Sequence, residues 1–228
     1  MRARGIPYQK VETDLVTKAE WHKNFNGGLV PVLETPAGEL MKESQVIMSF
    51  AENLKDDGPI PLWPHELKKG DVAATMESCR QRLIVEEHKT MSDSKGKLYK
   101  LQMNKWENKE DLDEVKELFI KYDAWFKEKI GDKPFLSGTD KPMMVDIQMF
   151  PLWERIVLWE GTCLQRVFDY LDLKNTLPTV YAWVHRFREV PEFADVIVNR
   201  DAFAKQVAFQ DSNPHGVKYQ LTIKAFDK

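Results

Sequence analysis

The sequence predicts a small α/β lobe followed by an all-helical lobe, and three observations predict it. Gly28 to Gln45 reads strand, tight turn, strand and helix start. Asp56-Asp57-Gly58-Pro59-Ile60-Pro61-Leu62-Trp63-Pro64 packs three prolines and a glycine into a stretch that cannot continue a helix. Beyond it the apolar residues recur at helical spacing and strand-like alternation disappears. The predicted organisation is therefore an α/β domain over 1–55, a linker over 56–68 and a helical domain over 69–228.

Tyr8 to Thr13 alternates well enough for a short strand. Lys18 to Asn24 is polar and suits an irregular helix, and Asn26-Gly27-Gly28 is a turn signal. Leu29 to Thr35 is a short apolar run. Pro36-Ala37-Gly38-Glu39 supplies hairpin turn chemistry, and Glu39 to Lys42 is the returning strand. From Ser44, a good N-cap residue, Val46, Ile47, Phe50 and Leu54 follow a helical period.

In the second lobe a helix from about Lys69 to Met91 carries Val72, Met76, Cys79 and Leu83 on one face. A second, from about Glu110 to Ile130, carries Leu112, Val115, Leu118, Phe119, Tyr122 and Phe126. The lysine-rich stretch Ser92 to Lys109 between them is either a helix extension or a loop. A very apolar helix over Met143 to Trp159 follows, then shorter ones near Thr179 to Arg188 and Phe193 to Ala208. The aromatic stripe Phe119, Tyr122, Trp125, Phe126, Trp153, Trp159, Trp183 and Phe187 is expected to pack the core, with a few members as candidates to line an apolar electrophile site.

The composition is that of a soluble globular chain, with 228 residues, 43% hydrophobic and 30% charged. A formal charge of -3 argues against a nucleic-acid partner. No apolar run approaches the roughly 20 residues that cross a bilayer. Cys79 and Cys163 lie in no C-x-x-C or metal-ligand pattern and are expected as buried or half-buried helix residues. His88 and His185 have no ligand partner at metal spacing, so no metal is expected. So few thiols fit a reducing, cytoplasmic setting.

Several blocks carry a family resemblance. They are Lys18-Ala19-Glu20-Trp21, Gly28-Leu29-Val30-Pro31-Val32-Leu33-Glu34, Gly38-Glu39-Leu40 leading to Glu43-Ser44, Val145 to Arg155, and Pro178 to Val190. In this order they resemble the cytosolic glutathione transferases, and the omega class most. The resemblance implies a thioredoxin-like N-terminal lobe, here incomplete, and a helical C-terminal lobe. It implies glutathione as co-substrate, with a small electrophile or disulfide as second substrate, and a homodimer.

The resemblance also assigns roles. The bond before Pro31 would be cis, and the Val30 main chain would pair with the cysteinyl backbone of glutathione. Ser44 would take the glutamyl carboxylate at a helix N-terminus. Glu43 would take the glutamyl ammonium, and Lys18 the glycyl carboxylate. Asp146 would have a structural role at the start of the apolar helix, although Met143 stands where the family carries a Ser or Thr cap. Arg155 either borders the second-substrate pocket or serves a salt bridge.

The omega-like nucleophile is a cysteine in a Cys-Pro-aromatic turn, activated at a helix N-terminus. No such turn occurs here, so no catalytic residue is assigned and the nucleophile is expected upstream of residue 1. Met1 to Ile6 resembles the end of the family's first helix. The chain is then either an incomplete copy of a longer protein or a genuine short form. The expected activity is thiol transfer or dehydroascorbate reduction with glutathione. The alternative is a non-catalytic glutathione-binding or protein-interaction module.

Overall fold

The computed structural model describes residues 1, 4–11, 13, 18–54, 58, 60–91 and 109–212. Residues 92–108, which hold nearly all of the lysine-rich stretch, and 213–228 lie outside the described residues. The chain divides into two compact units, residues 1–69 and 70–228.

In the first unit, helix α1 (Glu20–Asn26) ends at Gly27, whose φ of 59° is left-handed and whose N–H donates to the Lys23 carbonyl. Strands β1 (Val32–Glu34) and β2 (Leu40–Lys42) form an antiparallel hairpin with Val32 opposite Lys42, Leu33 opposite Met41 and Glu34 opposite Leu40. The turn chemistry is the one expected. Gly38 takes a φ of 81°, its N–H donates to Thr35 O at 2.9 Å, and Thr35 N donates to Glu39 O at 2.9 Å. Helix α2 (Ser44–Leu54) follows directly, and a short α3 (Pro64–Leu67) closes the unit.

The expected strand at Tyr8–Thr13 is not present among the described residues, which are irregular at 8–11 and 13. The described sheet is the two-stranded hairpin alone. Alternation is only a permissive signal, because a strand also needs a partner edge to hydrogen-bond.

A buried guanidinium ties the first unit together. Arg4, 2% exposed, grips Glu66 through both nitrogens at 2.7 and 2.6 Å and also donates to Glu52 O. Glu66 in turn accepts Leu62 N at 2.9 Å, and Glu52 accepts Trp63 Nε1 at 2.8 Å. Leu62 and Trp63 are thereby bonded to α3 and α2.

The second unit comprises α4 (Val72–Met91), α5 (Lys109–Ile130), α6 (Met144–Val157), α7 (Gln165–Leu171), α8 (Leu173–Thr176), α9 (Pro178–Arg188), a 3₁₀ turn at Pro191–Phe193 and α10 (Arg200–Ser212). Helix α6 packs on α4 and α9, and α5 packs on α7, α8 and α9. The aromatic stripe is core. Phe126 meets Trp153 edge-on at 5.6 Å and Trp183 at 5.4 Å, and Phe150 stacks on Phe187 at 3.9 Å. Only Trp125 of that set is half-buried, and its indole donates to Glu87 at 3.2 Å.

Asp146 is fully buried and accepts four donors: Leu136 N at 2.8 Å, Ser137 N at 3.1 Å, Met143 N at 3.2 Å and Trp183 Nε1 at 2.9 Å. The carboxylate thus satisfies the start of α6 without a hydroxyl at position 143, and binds it to the loop before it and to α9. Asp123 of α5 does the same for α9, accepting the N–H groups of Thr179 and Val180 at 2.7 and 3.1 Å.

Four expectations need correction here. The α4 face carrying Val72, Met76, Cys79 and Leu83 is exposed, and the buried residues are Ser78, Gln81, Val85 and His88. Two of its polar side chains reach partners on other elements: Gln81 donates to Ser137 O at 2.9 Å, and His88 accepts Trp153 Nε1 at 3.1 Å. Cys79 is accordingly exposed, while half-buried Cys163 sits in the turn before α7. The single helix expected over Phe193–Ala208 is a 3₁₀ turn and then α10, started by Asn199 accepting Ala202 N at 2.9 Å. Helices α7 and α8 fall in a stretch where none was expected.

Candidate functional site

The site grows from the hairpin register. Because Val32 faces Lys42, one residue back on β1 and one forward on β2 bring Pro31 and Glu43 to the same open end. One step further are Val30 and Ser44. The pairing stops at Val32 opposite Lys42, so both dipeptides leave the hairpin at this one end. The Val30–Pro31 bond is cis, and Val30 and Pro31 are exposed.

Glu43 has a φ of 70°, one of two left-handed non-glycine residues among those described. Such a conformation costs about 1–2 kcal/mol in a residue with a Cβ and concentrates at functional sites. It turns the chain from β2 into α2 in a single residue. Ile47 N donates to Glu43 O at 3.0 Å, so Glu43 occupies the cap position and Ser44 is the first helical residue. The expected N-cap thus lies one residue earlier than Ser44. The amides of residues 44–46 precede the first helical hydrogen bond and are free for an acceptor. Both side chains are exposed. The unit therefore presents a helix start with free amides beside an exposed carboxylate.

Lys18 lies against the glycine turn that precedes Val30. Gly28 is buried at a φ of 72°, and a Cβ placed on it would fall 2.3 Å from Lys18 Cδ and 3.2 Å from Nζ. The lysine stem therefore lies over a glycine that no other residue could replace without moving it, two residues before Val30. Arg155 lies exposed on α6. The neighbouring carboxylate, Glu154, is bound instead by Arg188, which also donates to Val198 O at 3.1 Å. Burial pushes the Glu154 carboxyl up, and the charge of Arg188 opposes this. Among the described residues no group of His, Cys, Asp and Glu could hold a metal ion, and no helix is long and apolar enough to cross a membrane.

The residue that sequence reading passed over is His22. It is 1% exposed, and its Nε2 lies 2.6 Å from Leu29 O. A histidine in a polar helix carries no local signal that it will be buried. The signal available was the glycine pair that folds Leu29 back over α1.

This pairing of a hairpin–helix unit with a helical unit is the glutathione transferase fold: a short thioredoxin-like sheet and a helical C-terminal domain. Residues 1–54 match the family model for the glutathione S-transferase N-terminal domain. The chain is 25% identical over 195 residues to mouse glutathione S-transferase omega-1, covering 84% of this chain and 70% of that protein. Among solved structures it is similar to the trimeric glutathione transferase TDR1 of Leishmania, with a TM-score of 0.68 and 20% identity over 91% of this chain, but it spans only 43% of that chain. It is also similar to rice GST1 solved with glutathione, with a TM-score of 0.66, 19% identity, and coverage of 91% and 86%.

Proposed function

We propose that the chain binds glutathione at the open end of the β1–β2 hairpin and acts as a glutathione transferase of omega-like type, in thiol transfer or dehydroascorbate reduction. The Val30 main chain takes the cysteinyl backbone as a short added strand. The Ser44 hydroxyl and amide take the glutamyl carboxylate, Glu43 takes the glutamyl ammonium, and Lys18 meets the glycyl carboxylate. One observation supports the reading: a cis Val30–Pro31 bond just before β1 and a left-handed Glu43 between β2 and α2, both at the same end of the hairpin. Arg155, exposed on α6, is offered to the second substrate. The exposed α4 stripe of Val72, Met76 and Leu83 supports a homodimer, since a second copy would take it out of water. A cytoplasmic location fits the use of reduced glutathione.

The alternative reading is a glutathione-binding or protein-interaction module without chemistry. Calorimetric titration with glutathione tests the binding. Ser44→Ala and Glu43→Gln should each weaken it about tenfold or more, the worth of one hydrogen bond to a charged group. Affinity unchanged in both variants overturns the site. Turnover of a glutathione mixed disulfide then separates the enzyme from the module.

A further inference from the structure

We propose that His22 is a positioning residue that aims the Val30 N–H at the ligand, an inference that rests on the glutathione-binding reading above. The Leu29–Val30 peptide is trans, so its C=O and N–H point in opposite directions within one plane. Whatever grips the Leu29 oxygen therefore sets the direction of the Val30 hydrogen. Two side chains of α1 grip it. His22 Nε2 lies 2.6 Å away and Asn26 Nδ2 donates at 3.0 Å.

A carbonyl only accepts, so Nε2 carries the imidazole proton. The opposite nitrogen, Nδ1, is buried without a hydrogen-bond partner among the described residues. A 1%-exposed imidazole spent on a single carbonyl is an expensive arrangement for mere packing. The backbone completes the clamp: Gly28 N donates to His22 O at 3.1 Å and Leu29 N to Asn26 O at 3.0 Å. Residues 28–29 are thus bonded to α1 on both sides of the Leu29 peptide. Val30 itself is 53% exposed, and its N–H has no partner among the described residues. The result is a fixed, outward, unspent donor at the point where an extended peptide would add to the hairpin. Pre-orienting it spares the ligand the cost of ordering that peptide on binding.

Two variants test this. His22→Gln keeps an N–H donor near the Nε2 position, and His22→Leu removes it at similar volume. The readouts are the urea midpoint, the glutathione affinity, and the chemical shift and exchange rate of the Val30 amide without ligand. His22→Leu should bind glutathione about tenfold more weakly, with the Val30 amide shifted. His22→Gln should stay within about threefold of the parent, with that amide restored. A His22→Leu protein with parental affinity and an unmoved Val30 amide overturns the proposal. So does a folded His22→Gln that loses as much as His22→Leu. If His22→Leu does not fold, His22→Gln alone decides by the same two readouts. If the parent chain does not bind glutathione, the binding site falls. The Val30 amide then still reports whether His22 holds this peptide.

Discussion

Histidine 88 should make the second unit acid-sensitive in a way that one substitution removes. Its ring is buried among Tyr122, Trp125 and Trp153, with centroids 5.8, 6.1 and 6.0 Å away, and Nε2 accepts the Trp153 indole N–H. Burial lowers its pKa from 6.5 to about 4. The folded state therefore keeps a neutral ring where the unfolded chain takes up a proton. Above about 6.5 neither state is charged and the residue contributes no pH dependence. As the pH falls from 6.5 to about 4 the unfolded state gains, and stability is lost. Below about 4 both states are protonated and the loss levels off. The span between the two values corresponds to about 3 kcal/mol, a large part of a typical domain's stability. His88→Gln keeps an acceptor for Trp153 and does not titrate. Urea unfolding of parent and variant at pH 7, 6, 5 and about 4 isolates the effect, because every carboxylate contribution is common to both. The parent should lose about 3 kcal/mol relative to the variant across that range. Parallel stability profiles would refute the buried, neutral His88.

Two further substitutions probe what holds each unit. Asp146→Asn leaves one oxygen for two of the four donors and turns an NH₂ group against the other two. Two buried donors without acceptors cost about 2–6 kcal/mol together, measurable as a lower urea midpoint. A loss under about 1 kcal/mol would mean that the carboxylate does not organise the start of α6. Arg4→Met strips Glu66 of its bidentate partner while keeping an apolar stem. It should destabilise the first unit by about 3–5 kcal/mol, seen as faster proteolysis after residues 60–67, and an unchanged cleavage rate would count against the clamp.

Much of the first unit was legible because its turn residues speak locally. Pro36 and Gly38 dictate a hairpin, and Ser44 with the apolar period after it marks a helix start to within one residue. The conformation of Glu43 was not legible, since nothing in its chemistry asks for a positive φ. It follows from joining β2 to α2 through a single residue. His22 and Arg4 were hidden for a related reason. Each is a polar residue whose burial depends on a partner reached through tertiary structure, at Leu29 or at Glu66. In the second unit the long helices and the aromatic core were readable from spacing. The inward face of α4 was not, because Gln81 and His88 look solvent-facing until Ser137 and Trp153 supply their partners. Helices α7 and α8 are short and are parted by Asp172 in a left-handed conformation, at a φ of 53°, with no glycine or proline to mark the break. Seven- and four-residue helices offer too few turns for a period to show.

The most direct test is amide chemical-shift mapping of the full chain during titration with glutathione. Val30, Glu43, Ser44 and the amides just inside α2 are expected to move together and saturate at one affinity, with Lys18 responding at its side chain. Shifts confined to other residues, or none at millimolar ligand, would contradict a glutathione site at the end of the hairpin.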